Sequence, residues 1–229
     1  GRMKENENSQ GFLKDLTADW PIILIILGSL VVGLFVYPHL PERVPSHWNI
    51  KGEVDAYSSR LWGAFGIPLL NAGIYIMMAL LPLIDPRRQN YQKFAGAYRM
   101  LKAVLAIFLA GLYALVVVSS LGCQISVGNA VIGGIGILFI VIGNYMGPFR
   151  HNYFVGIKTP WTLANEQVWQ KTHRLGGRLW VLSGFLGLAA AVFSGTFGAV
   201  ILGVSLGVAV VVPMVYSYLE FRRVQKNGD

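Results

Sequence analysis

Long apolar runs alternate with short polar stretches along the whole chain. About 20 apolar residues cross the hydrocarbon of a bilayer. On that scale the pattern predicts six transmembrane helices, over 20–37, 61–84, 100–121, 130–146, 179–193 and 197–219. The fold class is all-α and polytopic. In order, the chain reads as a polar segment (1–19), two spans (20–84) enclosing an outer loop (38–60), and a polar loop (85–99). Two further spans (100–146), a long polar loop (147–178), two last spans (179–219) and a tail (220–229) follow. Phe12, Leu13 and Leu16 at helical spacing predict a short interfacial helix ahead of the first span. Tyr37-Pro38-His39-Leu40-Pro41 is bulky and offers no small-residue cleavage site, so the first span reads as retained rather than as a signal peptide.

Small residues recur every four positions within the spans: Ala106, Ala110 and Ala114; Gly143 and Gly147; Ser183, Gly187 and Ala191; Gly203 and Gly207. In lipid such ridges let backbones approach closely, which replaces the missing hydrophobic drive between helices. They predict the packing faces. Pro68 and Asn71 are expected to interrupt the second span, with Asn71 bonding a neighbouring helix, and Pro213 to kink the sixth.

Composition agrees with the pattern. Hydrophobic residues make up 54% of the 229 and charged residues only 13%, against about 25% charged in soluble domains. A net charge of +8 raises the question of nucleic acid, but the cations sit where an anionic bilayer face would be. Sixteen of the 19 Lys and Arg fall in the N-terminal segment, 85–102, 147–178 and the tail, leaving Arg43, Lys51 and Arg60. The positive-inside rule then places both termini and the long loop in the cytoplasm, with 38–60 outside. The single cysteine, Cys123, excludes an intrachain disulfide and reads as an apolar filler. No acidic or basic residue occupies the middle of a span, which argues against ion-coupled transport.

The two large polar loops carry the candidate chemistry. In the outer loop, His39, His47, Glu53 and Asp55 offer imidazole and carboxylate, but at no tight metal-binding spacing. A proline-stiffened cap, held by Pro38, Pro41 and Pro45 with a turn at Gly52, is the simpler reading, and no metal or cofactor is expected. In the inner loop, Thr162 reads as the N-cap of a helix over 163–175 that lacks a capping box. Lys171, Arg174 and Arg178 form a basic stripe there, beside Trp169, as an interfacial helix on anionic lipid requires. Trp169 and His173 are one turn apart, so the imidazole can lie against the indole. Glu166 and His173 can share a face as an acid–base pair, yet no nucleophile completes such a site.

Gly143-Asn144, Asn152, Gly156-Ile157-Lys158-Thr159-Pro160-Trp161-Thr162-Leu163, Glu166, Val168-Trp169 and Thr172-His173-Arg174 resemble the signature of the SdpI family. These are bacterial membrane proteins named for immunity to a secreted killing peptide. Lys158 stands where the family has arginine, which keeps the charge. Pro41 through Arg60, with Val44-Pro45, His47-Trp48-Asn49 and Gly52, is similar to the block that often precedes the signature. The resemblance implies a multi-pass plasma-membrane protein without enzymatic activity. It further implies that a peptide toxin meets the outer loop at His47, Trp48, Asn49, Glu53 and Asp55. An ArsR-like repressor would dock on the inner loop at Asn144, Arg150, Asn152, Lys158, Thr159, Pro160, Trp161, Thr162, Glu166, Trp169, His173 and Arg174.

Two other classes fit the residues alone. A transporter or flippase of a lipid or amphipathic molecule would line a polar cavity with Asn71, Asn144 and Tyr145. A membrane enzyme would use His151, Glu166 and His173.

Overall fold

The computed structural model describes residues 16–193 and 195–227, so most of the expected N-terminal interfacial helix falls outside the described residues. Helix α1 (Trp20–Val36) continues into a 3-10 turn, Tyr37–His39. Strands β1 (Arg43–Trp48) and β2 (Val54–Ser59) lead to α2 (Arg60–Ile84). A 3-10 segment, Arg88–Phe94, enters α3 (Ala95–Ser120), followed by α4 (Val127–Met146), a short α5 (Pro160–Ala164), α6 (Glu166–Ala190) and α7 (Thr196–Asn227).

Five described segments are long and apolar enough to cross a membrane: Trp20–His39, Arg60–Ile84, Arg88–Ser120, Val127–Met146 and Thr196–Asn227. The segment expected as the fifth of six spans differs. It is the second half of α6, which starts in the polar loop and runs unbroken through Gly176 and Gly177. Lys171, Arg174 and Arg178 occupy its first half, which leaves twelve uncharged residues from Leu179 to Ala190, short of the roughly 20 a span needs.

Other expectations shift with the helices. Pro68 does not interrupt α2, which is continuous from a Ser59 cap that accepts from the Trp62 amide. Helix-breaking residues are tolerated in membrane helices where neighbours satisfy the freed groups. Asn71 bonds a neighbouring helix as expected, donating to the Ala106 carbonyl at 3.0 Å.

The helices form two groups. Helices α1, α2 and α3 pack together, as do α4, α6 and α7, and α3 against α4 joins the groups. In the second group α4 and α6 run antiparallel with glycine facing glycine. A Cβ at Gly136 would lie 2.7 Å from the Gly184 carbonyl oxygen, and one at Gly143 would lie 2.6 Å from that of Gly177. Only glycine permits that approach, because real Cβ atoms do not come so close. The four-residue spacing therefore located the face only in part. Gly143, Ser183 and Gly187 are buried, but Gly147, Gly203 and Gly207 have nothing within 4 Å of a built Cβ, and Ala114 is exposed. The buried stripe of α7 is instead Gly198, Leu202, Ser205, Ala209, Pro213 and Ser217.

The first group holds a buried ion cluster. Lys102, expected among the surface cations, is 7% exposed and bonds Asp19, which is 1% exposed. Arg99 stands 3.4 Å from the same carboxylate, and the Tyr75 hydroxyl donates to it at 3.1 Å. Removing Lys102 leaves the buried carboxylate with only the partly exposed Arg99 as counter-charge, at a cost of up to about 3 kcal/mol. Lys102→Met is therefore expected to lower the melting temperature of the detergent-solubilised protein, and the double variant with Asp19→Asn to recover part of the loss. Equal melting of wild type and Lys102→Met would show that the pair contributes nothing.

Candidate functional site

The outer loop departs from a plain cap, and the fold from a purely helical one. Residues 43–59 form an antiparallel hairpin, with Arg43 opposite Ser59 and Trp48 opposite Val54. Gly52 closes the turn at φ +82°, a left-handed conformation glycine adopts without strain. Asn49 organises it: its Oδ1 accepts from the Lys51 and Glu53 amides, and its Nδ2 donates to Glu53 at 3.0 Å. Val44, 1% exposed, plugs the hairpin onto α2 where Gly63 leaves room for it, within a cluster of Leu40, Ala64 and Val116. Half-buried Trp48 packs on the same cluster.

His47 and Asp55 are joined at 2.5 Å across the strands, and both are exposed with Glu53. The structure thus brings His47, Asp55, Asn49 and Glu53 onto one small hairpin. His39 turns instead to the Phe35 carbonyl at 3.0 Å. Among the described residues no group of three His, Cys, Asp or Glu is placed to hold a metal.

The inner loop is folded into the protein. Thr159, not Thr162, is the N-cap, and a capping box is present. The Thr162 amide donates to Thr159 Oγ1 at 3.1 Å, and the Thr159 amide donates to Thr162 Oγ1 at 2.9 Å. Pro160 occupies the first turn, where its missing amide costs nothing. The predicted helix over 163–175 is therefore two helices. The short α5 ends at Asn165, whose side chain accepts from the Gln167 and Val168 amides and starts α6. Thr159 Oγ1 also reaches Ser217 on α7 at 2.9 Å.

Around His173 the loop is clamped. Its ring stacks on Trp169 with centroids 4.1 Å apart, as expected from the one-turn spacing. Nδ1 donates to the Trp169 carbonyl at 2.8 Å, and Nε2 accepts from the Ile157 amide at 2.9 Å. Those two bonds require the neutral ring. Gly156, at φ +124°, lets the backbone lie directly on the imidazole, since a Cβ there would strike Nε2. Trp169 is fully buried and donates to the Phe149 carbonyl at 2.9 Å. It is therefore a core residue, not an indole on lipid. Of the basic stripe, Arg174 and Arg178 are exposed while Lys171 pairs with the buried Glu220.

Burial holds the His173 pKa well below its ordinary 6.5, at about 4, and burial followed by the nearby Arg87 charge lowers that of His151. The unfolded chain therefore binds more protons than the folded one between those values. Stability is fully present above pH 6.5 and falls as pH drops toward 4, by up to about 1.4 kcal/mol per pH unit for His173. We predict a melting temperature that is flat above pH 6.5 and declines below it, with most of the slope absent in His173→Asn. Parallel profiles for the two proteins would rule His173 out as the source.

Asn152, which is fully buried, ties the loop to itself. Its Oδ1 accepts from the Phe154 and Val155 amides, and its Nδ2 donates to the Arg150 and Val155 carbonyls. The residue that joins this loop to the other helix group is Asp85, at the start of the polar stretch 85–99. It is 2% exposed and accepts from the Arg87 amide, the Tyr91 hydroxyl and the Tyr153 amide. Asn90 adds a 2.7 Å bond to the His151 carbonyl. A carboxylate after an apolar run carries no signal of such a distant partner.

Of the rival constellations, His151 and His173 both pack on Trp169, and Glu166 acts on His151 only through its charge. Glu166 is exposed at the start of α6, and His173 has no ring nitrogen left for proton transfer. Asn71 is spent on the Ala106 carbonyl, Tyr145 packs on the core beneath the inner loop, and Asn144 is exposed. Arg150 and Trp161 are half-buried, the latter against Tyr218, whereas Lys158 and Pro160 are exposed.

Five apolar helices long enough to cross a bilayer, joined by the 43–59 hairpin and the folded loop before α6, define a multi-pass membrane protein. A model of the SdpI/YfhL protein family matches residues 149–217, and a model of a domain of unknown function, DUF1648, matches residues 24–72. The chain is also similar to the protein named immunity protein SdpI of Bacillus subtilis (strain 168). They are 27% identical over 207 residues, which cover 90% of this chain and 96% of the relative. The chain is thus similar to the SdpI family over residues 149–217, and it is a multi-pass protein of the bacterial cell membrane. No solved structure matches it.

Proposed function

We propose that this protein is a non-enzymatic immunity protein that protects the cell from a secreted peptide toxin met by its outer hairpin. The observation that carries the reading is the hairpin itself: an ordered platform fixed by Val44, presenting His47, Glu53 and Asp55 at its surface. The relative's name supports the same role. In this reading α6 completes a sixth crossing alongside α4, its glycines at the depth of Gly136 and Gly143, and both termini are cytoplasmic. The sixteen-to-three division of cations supports that orientation.

The inner loop then has a narrower role. Asn152, Thr159, Thr162, Trp169 and His173 are buried, so a cytoplasmic repressor would dock on Lys158, Pro160, Glu166 and Arg174, beside Asn144. The reading is tested by expressing the protein in a bacterium sensitive to a panel of related secreted peptides. Survival against at least one peptide is expected, and killing unchanged across the panel would reject the role.

A further inference from the structure

Between α6 and α7 lies an apolar groove of about 390 Å³. Leu179, Leu182 and Leu186 form one wall, and Val200, Val204 and Val208 the other. Its two polar members are internally satisfied. Ser183 Oγ donates to the Ser205 carbonyl at 2.9 Å, and Ser205 Oγ to the Leu202 carbonyl at 2.9 Å. The groove therefore offers an occupant hydrocarbon contact and no free polar anchor. Nothing in it suits a polar substrate.

One helical turn before Leu182, at the edge of the groove nearest the inner loop, stands Arg178, with Arg174 a turn further on. Both are exposed. The acidic side chains nearest along these helices do not serve them: Glu220 is taken by Lys171, with Arg223 at 3.9 Å. In the membrane-crossing reading of α6, Arg178 falls near the boundary. The neighbouring Gly177 faces Gly143, close to the end of α4 at Met146. A guanidinium at that depth requires an anionic headgroup or water.

We infer that the α6–α7 groove is a binding site for an anionic phospholipid, with an acyl chain along Leu182 and Val204 and the phosphate on Arg178, assisted by Arg174. Hydrocarbon below and a bidentate cation at the rim match a glycerophospholipid at both ends, and arginine suits phosphate geometrically. The site rests on the membrane-crossing reading of α6, not on the toxin.

The test places a photo-crosslinking amino acid at Val204, and separately at Leu27 on α1 as a lipid-facing control, in protein held in phosphatidylglycerol–phosphatidylcholine vesicles. Labelling from Val204 is expected to favour phosphatidylglycerol about fivefold, while Leu27 shows no preference. Arg178→Gln should abolish the preference and Arg178→Lys retain most of it. Equal labelling of both lipids at Val204, a preference that survives Arg178→Gln, or crosslinks to a second copy of the chain would each overturn the site. A third probe, at Leu186, reads the crossing of α6 separately: lipid labelling there is expected, and its absence would overturn the site by removing the crossing on which it rests.

Discussion

Gly143→Leu and Gly184→Leu are expected to leave little folded protein in detergent extracts. A Cβ at Gly184 would already stand 2.5 Å from the Gly136 carbonyl oxygen and 2.6 Å from Ile140, and one at Gly143 would stand 2.8 Å from the Val181 amide. Backbone atoms cannot swing aside as a flexible side chain can, so α4 and α6 must separate along their length. Overpacking of a tight interface costs about 3 kcal/mol, and a full leucine adds to that. Gly203→Leu is the matched control, since nothing lies within 4 Å of a built Cβ there. Size-exclusion profiles and melting curves check the contrast. Equal damage at positions 184 and 203 would mean that the α4–α6 contact does not hold the second helix group together.

Trp169→Ala is the second large effect. The indole is fully buried between His173 at 4.1 Å and His151 at 5.1 Å, and its removal strands the Phe149 carbonyl it bonds. Truncating a buried tryptophan costs about 3–5 kcal/mol, before counting the lost bond. The protein should still reach the membrane, because insertion follows apolar runs that Trp169 does not belong to. The inner loop should open instead. Trypsin cleavage at Arg150 and Lys158, from the face that carries the inner loop, is expected to rise sharply. Trp161→Ala should have a much smaller effect, since that ring is half-buried against Tyr218. Cleavage no faster than in wild type would contradict the clasp.

The sequence revealed the apolar helices because hydropathy over 20 residues is a strong, local signal. It revealed the Trp169–His173 stack because residues four apart on a helix must be neighbours. It did not reveal which side of each helix meets protein. Gly203 and Gly207 have the same spacing as true packing glycines, yet they face outward, because spacing alone does not say where the neighbouring helices stand. Nor did it reveal the continuity of α6: Gly176-Gly177 resembles a break, but here the pair admits Met146 and the Gly143 carbonyl. Asp85 and Lys102 were hidden for the same reason, since their partners lie 68 and 83 residues away. The outer hairpin was masked by its prolines and bulges, which erase the alternation by which strands are recognised.

The most direct test of the proposed role replaces residues 46–57, the hairpin tip from Ser46 to Tyr57, with a glycine–serine linker of equal length. Val44, Leu40, Ala64 and Val116 stay in place, and half-buried Trp48 leaves the rim of their cluster. Survival of peptide-challenged cells is measured alongside the amount of protein in the membrane. Membrane abundance is expected to stay unchanged and protection to be lost. Protection that persists at normal abundance would contradict a role for the hairpin in meeting the toxin.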